Sequence, residues 1–341
     1  MGSKRHRAIG AVLAPAALLL SAACGGGDSD GAAGGSGSGS TRPPSSAAFP
    51  VEVENCGRTL TFEQAPTRTI GLDQISTELL LHLGVADAIV GTANQSDPPF
   101  EGVATEFDGL EVLSANYPTA EQFVAAEADF VVGNLEFLSY SQESGFGGPF
   151  TRDQLEEQGV ASFALICNGE EDTTETLFER FEQLGRIYGV ADTAAAVLAD
   201  VQASLDATAE VLDGVEPVPT LIYIDGTGPI QTLGSELERA GGRNIIGPDE
   251  GGCCPPEIGV EVVVDRDPAA ILISSFGNLD PSGPTLQDKQ RSLASVLPTT
   301  EAVQAERYLP IDFIAFSTPS RLASDVNRIG AFLHPDLEFP S

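Results

Sequence analysis

Five cysteines and three histidines are the residues of this chain with the most obvious chemistry, and their spacing argues against most of it. A zinc site takes closely paired thiolate or imidazole ligands. Here Cys253 and Cys254 are adjacent and run into Pro255-Pro256, Cys24, Cys56 and Cys167 stand alone, and only His82 and His334 follow the first 23 residues. That set disfavours a thiolate metal site and offers too few ligands for a receptor of bare zinc or manganese. His82 sits among leucines in a helical stretch and reads as structural. No nucleophile elbow, His-rich zinc motif or Cys–His dyad is present, so an enzymatic reading finds no nucleophile. The run Ser144-Gly-Phe-Gly-Gly-Pro149 lacks the Lys-Ser/Thr ending of a phosphate-cradling loop and reads as a rim loop. Neither a metal nor a resident cofactor is expected.

Charge narrows the partners. Fifty acidic residues against 17 basic ones give a formal charge of -33, which repels nucleic acid and reads as a solubility adaptation. An apolar content of 42% suffices for a sizeable core, and no apolar tract reaches membrane-spanning length. With 341 residues, two packed lobes or one domain with tails is expected.

The N-terminus reads as an address. Lys4, Arg5 and Arg7 precede an apolar stretch from Ala8 to Leu20, and small residues lead to Cys24. That arrangement resembles a bacterial lipoprotein processing site, although Ser21 stands where Leu is usual; it implies a signal peptide over 1–23, lipidation of Cys24 and a Gly/Ser-rich leash over 24–48. A single lipid would tether the chain to the extracytoplasmic face of the cell membrane. Export favours cysteine pairing. Three pairings of Cys56, Cys167, Cys253 and Cys254 are open; Cys56 with Cys167 is favoured because it staples the first strand region to the end of the first lobe. That leaves Cys253 and Cys254 as a vicinal disulfide or a reduced pair.

From Phe49 the chain alternates short apolar runs with helical stretches, predicting parallel α/β sheets. A hairpin is expected around Asn55-Cys56-Gly57, with strands over 68–72, 88–91, 130–133, 162–166, 220–224, 270–274 and 307–309. Helices are expected over 75–83, 120–126, 151–158, 173–188, 192–212, 235–240, 261–265, 292–297 and 319–332. Two α/β halves joined through a helix suggest two lobes with a ligand cleft between them. Ligands of open parallel sheets sit at the strands' carboxyl ends. In the first lobe this selects Asp73, Gln74, Asn94, Gln95, Tyr117 and the stretch Asn134 to Tyr140, including Phe137. In the second it selects Asp225, Thr227, Cys253, Phe276, Asn278, Phe313 and Phe316. Core packing is an equal reading for Phe313 and Phe316.

Several blocks, in order along residues 50–333, resemble the ABC-importer binding proteins for iron–siderophore, haem and cobalamin. They are Arg68-Thr-Ile-Gly-Leu-Asp-Gln with Thr77-Glu78-Leu-Leu-Leu-His-Leu-Gly84, Asp87-Ala-Ile-Val-Gly91-Thr, and Ala120-Glu121-Gln-Phe through Asp129-Phe-Val-Val. Arg239-Ala-Gly-Gly-Arg-Asn244 follows, and Val260-Glu261 through Asp267-Pro268-Ala-Ala-Ile-Leu-Ile repeats the helix-then-strand block; Ala128 stands where Pro is usual. Asn55-Cys56-Gly57 and Cys167 resemble a subgroup with one cysteine at each place. The resemblance implies a fold class of two Rossmann-like α/β lobes, 49–172 and 189–341, joined by a rigid bridging helix over 173–188. It also implies a non-enzymatic, monomeric receptor working with a permease and its ATPase. Glu121 and Glu261 would dock to permease arginines, with Glu78 a weaker candidate that reads as a helix surface charge. The ligand would be a ferric siderophore or similar metal chelate; haem or cobalamin, and an exported scaffold or enzyme, are the alternatives. Anionic chelates are held by arginines, and Arg152, Arg321 and Arg243 are the ones near the selected loops, Arg243 reading as a surface residue.

Overall fold

The computed structural model describes residues 49–140, 147–169, 173–224, 228–229, 234–247, 258–275 and 284–340. Strand β1 (Val51–Asn55) alternates buried Val51, Val53 and Asn55 with exposed Glu52 and Glu54, the period of a half-buried strand. It pairs antiparallel with β2 (Arg58–Phe62) through Cys56 and Gly57. Both turn residues have positive φ, 54° and 72°, as a two-residue hairpin requires.

The first lobe follows as β3 (Thr69–Gly71), α1 (Gln74–His82), β4 (Ile89–Ala93), α2 (Ala104–Asp108), β5 (Val112–Ser114) and α3 (Ala120–Ala125). It closes with β6 (Phe130–Leu135), α4 (Glu136–Ser139), α5 (Arg152–Glu157) and β7 (Ala161–Ile166). Its strands pair in the order β5-β4-β3-β6-β7, all parallel. The hairpin docks on this sheet through the buried Asn55 amide, which donates to Ala164 O (2.8 Å) and accepts from Ala164 N (2.9 Å). The Cys56 and Cys167 Cα atoms lie 5.2 Å apart, within the span a disulfide bridges.

Two long helices come next, α6 (Thr174–Ile187) and α7 (Ala191–Val211). The second lobe continues with β8 (Val218–Ile224), β9 (Gly228–Pro229), α8 (Gly234–Arg239), β10 (Gly242–Asn244), α9 (Val260–Arg266) and β11 (Ala270–Ser275). It ends with α10 (Leu286–Val296), α11 (Glu301–Gln304), β12 (Tyr308–Asp312) and α12 (Pro319–Leu333). Strands β10-β8-β11-β12 are parallel, and β9 lies antiparallel against β8. Pro310 is tolerated inside β12 because β12 ends the described strand order.

Both long helices pack between the lobes. The 173–188 helix was the predicted bridge, and α6 turns Phe181, Leu184 and Ile187 into the first lobe's core, and Tyr188 at its end hydrogen-bonds Thr69. Helix α7 contributes to both cores along its length, Ala194 and Leu198 to the first and Val201 and Leu205 to the second, while Phe178 of α6 also packs against both and Ile314 of the second lobe enters the first core. Its 21 residues span about 30 Å at the helical rise. The C-terminal half packs on α12, where Asn327 hydrogen-bonds Thr208 and donates to Ser204 Oγ (3.0 Å). Two differences from expectation have local causes. Helix α10 begins at Leu286 rather than Ser292 because Thr285 and Asp288 form a reciprocal cap. Strands β5 and β10, three residues each, are too short to carry a periodic pattern.

The lobes repeat one another in backbone detail. Glu121 and Glu261 are each the second residue of their helix, in α3 and α9. Six residues later come Glu127 and Asp267, both left-handed with φ of 48° and 42°, and then the central strands β6 and β11. No described helix is long and apolar enough to cross a membrane.

Candidate functional site

Because the strands of each sheet run parallel, their carboxyl ends line one edge, and the two edges meet along a seam between the lobes. On the first-lobe side the seam is formed by α1 and the loop after β4; on the second-lobe side by the segment from Asp312 to Arg321. Phe313 N donates to Asp97 Oδ1 (3.1 Å), and Ser320 Oγ lies 3.4 Å from His82 Nδ1. Beside the seam a small cavity of about 30 Å³ is lined by Asn134, Leu165 and Ile166 from strand ends, Thr176 and Leu177 from the first turn of α6, and Ser317 from the second lobe.

The centre of the seam is an ion cluster that sequence reasoning did not foresee. Glu78, on α1, is fully buried; it accepts from Arg321 of α12 through both oxygens, Nε to Oε2 at 2.7 Å and Nη2 to Oε1 at 2.8 Å. Arg321 also donates to Pro98 O (2.8 Å) and Asp312 Oδ2 (2.8 Å), with the Phe100 ring beneath it. Gln74 Nε2 (2.9 Å) and Phe100 N (3.2 Å) complete the donors to Glu78 Oε1. Glu78 is therefore not a surface charge, and the Arg321 guanidinium is committed to protein acceptors rather than turned to a ligand. A glutamate directly before Leu79-Leu80-Leu81 in α1 was the available signal; its partner, 243 residues away, was not.

The other selected residues divide by burial. Asp73 caps α1, accepting from Ser76 N (2.9 Å), Ser76 Oγ (2.8 Å) and Asn134 N (2.7 Å); burial pushes its carboxyl above the usual range despite these donors. Gln74 is buried, its Oε1 accepting from Ser96 N (3.0 Å) and Asp97 N (2.9 Å). Arg152 is buried and donates to Asn55 Oδ1 (3.0 Å), Ser162 Oγ (3.1 Å), Ser162 O (2.8 Å) and Glu136 Oε1 (3.0 Å), so it ties the hairpin to β7 instead of reaching a ligand. Tyr140, read as ligand-facing, is core: its hydroxyl lies 2.7 Å from Phe163 O. Phe316 is likewise buried in the second core. Asn94, Gln95, Tyr117 and Asn134 are half-buried at strand ends, and Phe313 is 37% exposed. Burial, reinforced by the Asp73 charge, raises the Tyr117 phenol; burial also raises the Asp97 carboxyl, with Asp312 adding to the shift. His82 is structural, stacked edge-on with Phe100, and burial lowers its imidazole. Cys24, the Phe137 side chain, Asp225, Thr227, Cys253, Cys254, Phe276 and Asn278 lie outside the described residues.

Glu121 and Glu261 are both exposed. Each stands in the first turn of its helix, α3 before β6 and α9 before β11. Gly259 precedes α9 with Glu261 folded over it; a Cβ there would come within 2.6 Å of Glu261 Oε2.

Residues 70–304 match the family described as periplasmic binding protein. The chain belongs to that family. A curated relative from Halobacterium salinarum, a cobalamin-binding protein, is 24% identical over 233 residues, 67% of this chain and 59% of that protein. This chain thus spans less than two thirds of that relative. A periplasmic binding protein from Veillonella parvula superposes with a TM-score of 0.71 at 23% identity, covering 84% of this chain and 97% of the other. An ABC-type Fe3+-hydroxamate transport protein from Saccharomonospora viridis gives 0.65 at 21% identity, over 84% and 99%. A periplasmic heme binding protein from Pseudomonas aeruginosa gives 0.64 at 21%, over 81% and 95%. At these identities the structural likeness is one of fold. This periplasmic binding protein therefore has two lobes whose strand ends meet, the layout sequence analysis anticipated.

Proposed function

We propose that this chain is the extracytoplasmic receptor of an ABC importer, anchored through lipid on Cys24 and closed at its hairpin by a Cys56–Cys167 disulfide. It takes an iron-siderophore-type chelate at the meeting strand ends and delivers it to a permease served by an ATPase. The observation that carries this reading is the pairing of two parallel sheets, carboxyl edge to carboxyl edge, with a glutamate at the same helical position in each lobe. In this reading Glu121 and Glu261 are the docking charges, and Asn94, Gln95, Tyr117, Asn134 and Phe313, half-buried or exposed at the strand ends, are the residues proposed to meet the ligand.

Charge selects among chelates. Arg152 and Arg321 are spent on protein acceptors, and the chain carries -33; that environment favours a neutral or cationic ferric chelate, as hydroxamates form, over an anionic catecholate. The curated relative named for cobalamin favours a second reading, cobalamin, also without anionic catechols. Five tyrosines and no tryptophan make intrinsic tyrosine fluorescence the probe. Saturable quenching is expected with a ferric trihydroxamate, and binding of a ferric tricatecholate weaker by about 100-fold or more, the equivalent of about 2.7 kcal/mol. Saturation by cyanocobalamin alone would establish the second reading. A folded protein that responds to no member of a panel including haem would refute both.

A further inference from the structure

We propose that the Glu78–Arg321 pair is an interlobe latch, with Arg321 the residue that positions the two halves of the cleft relative to each other. The inference rests on the receptor reading above only for its consequence on ligand affinity; the latch itself is independent of it. Arg321 belongs to the second lobe, and three of its partners, Glu78, Pro98 and Phe100, belong to the first. Its remaining partner, Asp312, ends β12 and fixes the guanidinium from its own lobe. A parallel tie, Phe313 N to Asp97 Oδ1, lies beside it.

The placement of these ties explains what they do. They fasten the first-lobe loop that begins at Asn94 and Gln95 to the second-lobe segment that holds Phe313 and Ser317. Those are the loops at the strand ends. Helix α7 and Phe178 of α6 join the lobes elsewhere, and Ile314 of the second lobe packs into the first core; apolar contacts of this kind still leave twisting and bending between the lobes. A second, buried attachment with bidentate geometry removes that freedom. Burying an ion pair is a poor way to gain stability, because desolvation offsets the attraction, but it fixes geometry that apolar contacts leave loose. A guanidinium fork held by two carboxylate oxygens and a backbone carbonyl accepts one lobe angle.

The test measures lobe separation in the full-length chain without ligand. Spin labels carried by ketone-bearing residues at Val124 of α3 and Val296 of α10, both exposed, report the interlobe distance by electron double resonance and leave the cysteines untouched. The key variant is the apolar pair E78M/R321M, which removes both charges together and so avoids an orphaned buried ion; Arg321→Lys, which keeps the charge but loses the fork, is the second. A single narrow distance is expected in the native chain and a broadened distribution in both variants. If about a tenth of the broadened ensemble keeps the competent angle, apparent chelate affinity falls about ten-fold. A folded E78M/R321M or R321K protein with the native distance distribution would overturn the latch and leave the pair merely structural. Broadening with no chelate bound by any form, native included, would instead sustain the latch and count against the receptor reading.

Discussion

Replacing Glu121 and Glu261 together by alanine abolishes import while leaving chelate affinity unchanged. Both carboxylates are exposed, and neither is tied into the seam. Each occupies the first turn of its helix, where a negative charge contributes only about 0.3–1 kcal/mol, so the lobes remain folded without them. The role proposed for them is docking. A charge-assisted hydrogen bond is worth about 1.5–3 kcal/mol, so losing two weakens capture by the permease by roughly 10²–10⁴-fold. Opposed charges also steer encounter, and the defect deepens as salt is lowered, since the native protein gains most there. Single variants retain partial uptake. Radioactive or absorbance-based uptake in cells, set beside the tyrosine titration of the purified variants, separates the two steps. A fall in chelate affinity would place these glutamates in the cleft instead.

Arg152→Ala costs about 3–5 kcal/mol of stability, the range for breaking a buried pair from one side. Five protein acceptor atoms surround this guanidinium, and the Glu136 carboxylate it faces is itself only 16% exposed. Removing the arginine takes a donor from both Asn55 and Ser162, loosening the tie between the first hairpin and β7, and takes the cation from the Tyr140 ring. Urea denaturation reads the loss as a lower midpoint at unchanged slope. The chelate affinity of the fraction that remains folded should match the native value. A variant as stable as the native chain that no longer binds chelate would return Arg152 to the ligand site.

Much of the scaffold was legible because it depends on local pattern. Leu79, Leu80 and Leu83 mark α1 and Gly84 its end, while the alternating Val51–Val53 and Thr59–Phe62 around Cys56-Gly57 mark the hairpin. The doubled block around Glu121 and Glu261 was visible as a repeat, and the structure carries it down to the left-handed Glu127 and Asp267. What stayed hidden depends on partners distant in sequence. Glu78, Arg321, Arg152 and Tyr140 look like surface or ligand-facing residues until the groups that satisfy them are brought up from another strand or the other lobe. The roles of α6 and α7 were hidden for the same reason: both helices reach the two cores, α6 through Phe178 and α7 through the division of Leu198 and Val201 between them.

Backbone hydrogen exchange, with and without a saturating chelate, tests the central claim most directly. Occupancy between the strand ends predicts slowed exchange in the loops at 94–100, 134–136 and 313–318, with the α3 and α9 helices unchanged. Protection confined to the outer helices, or none at full saturation, would mean that the cargo is held somewhere other than where the two sheets meet.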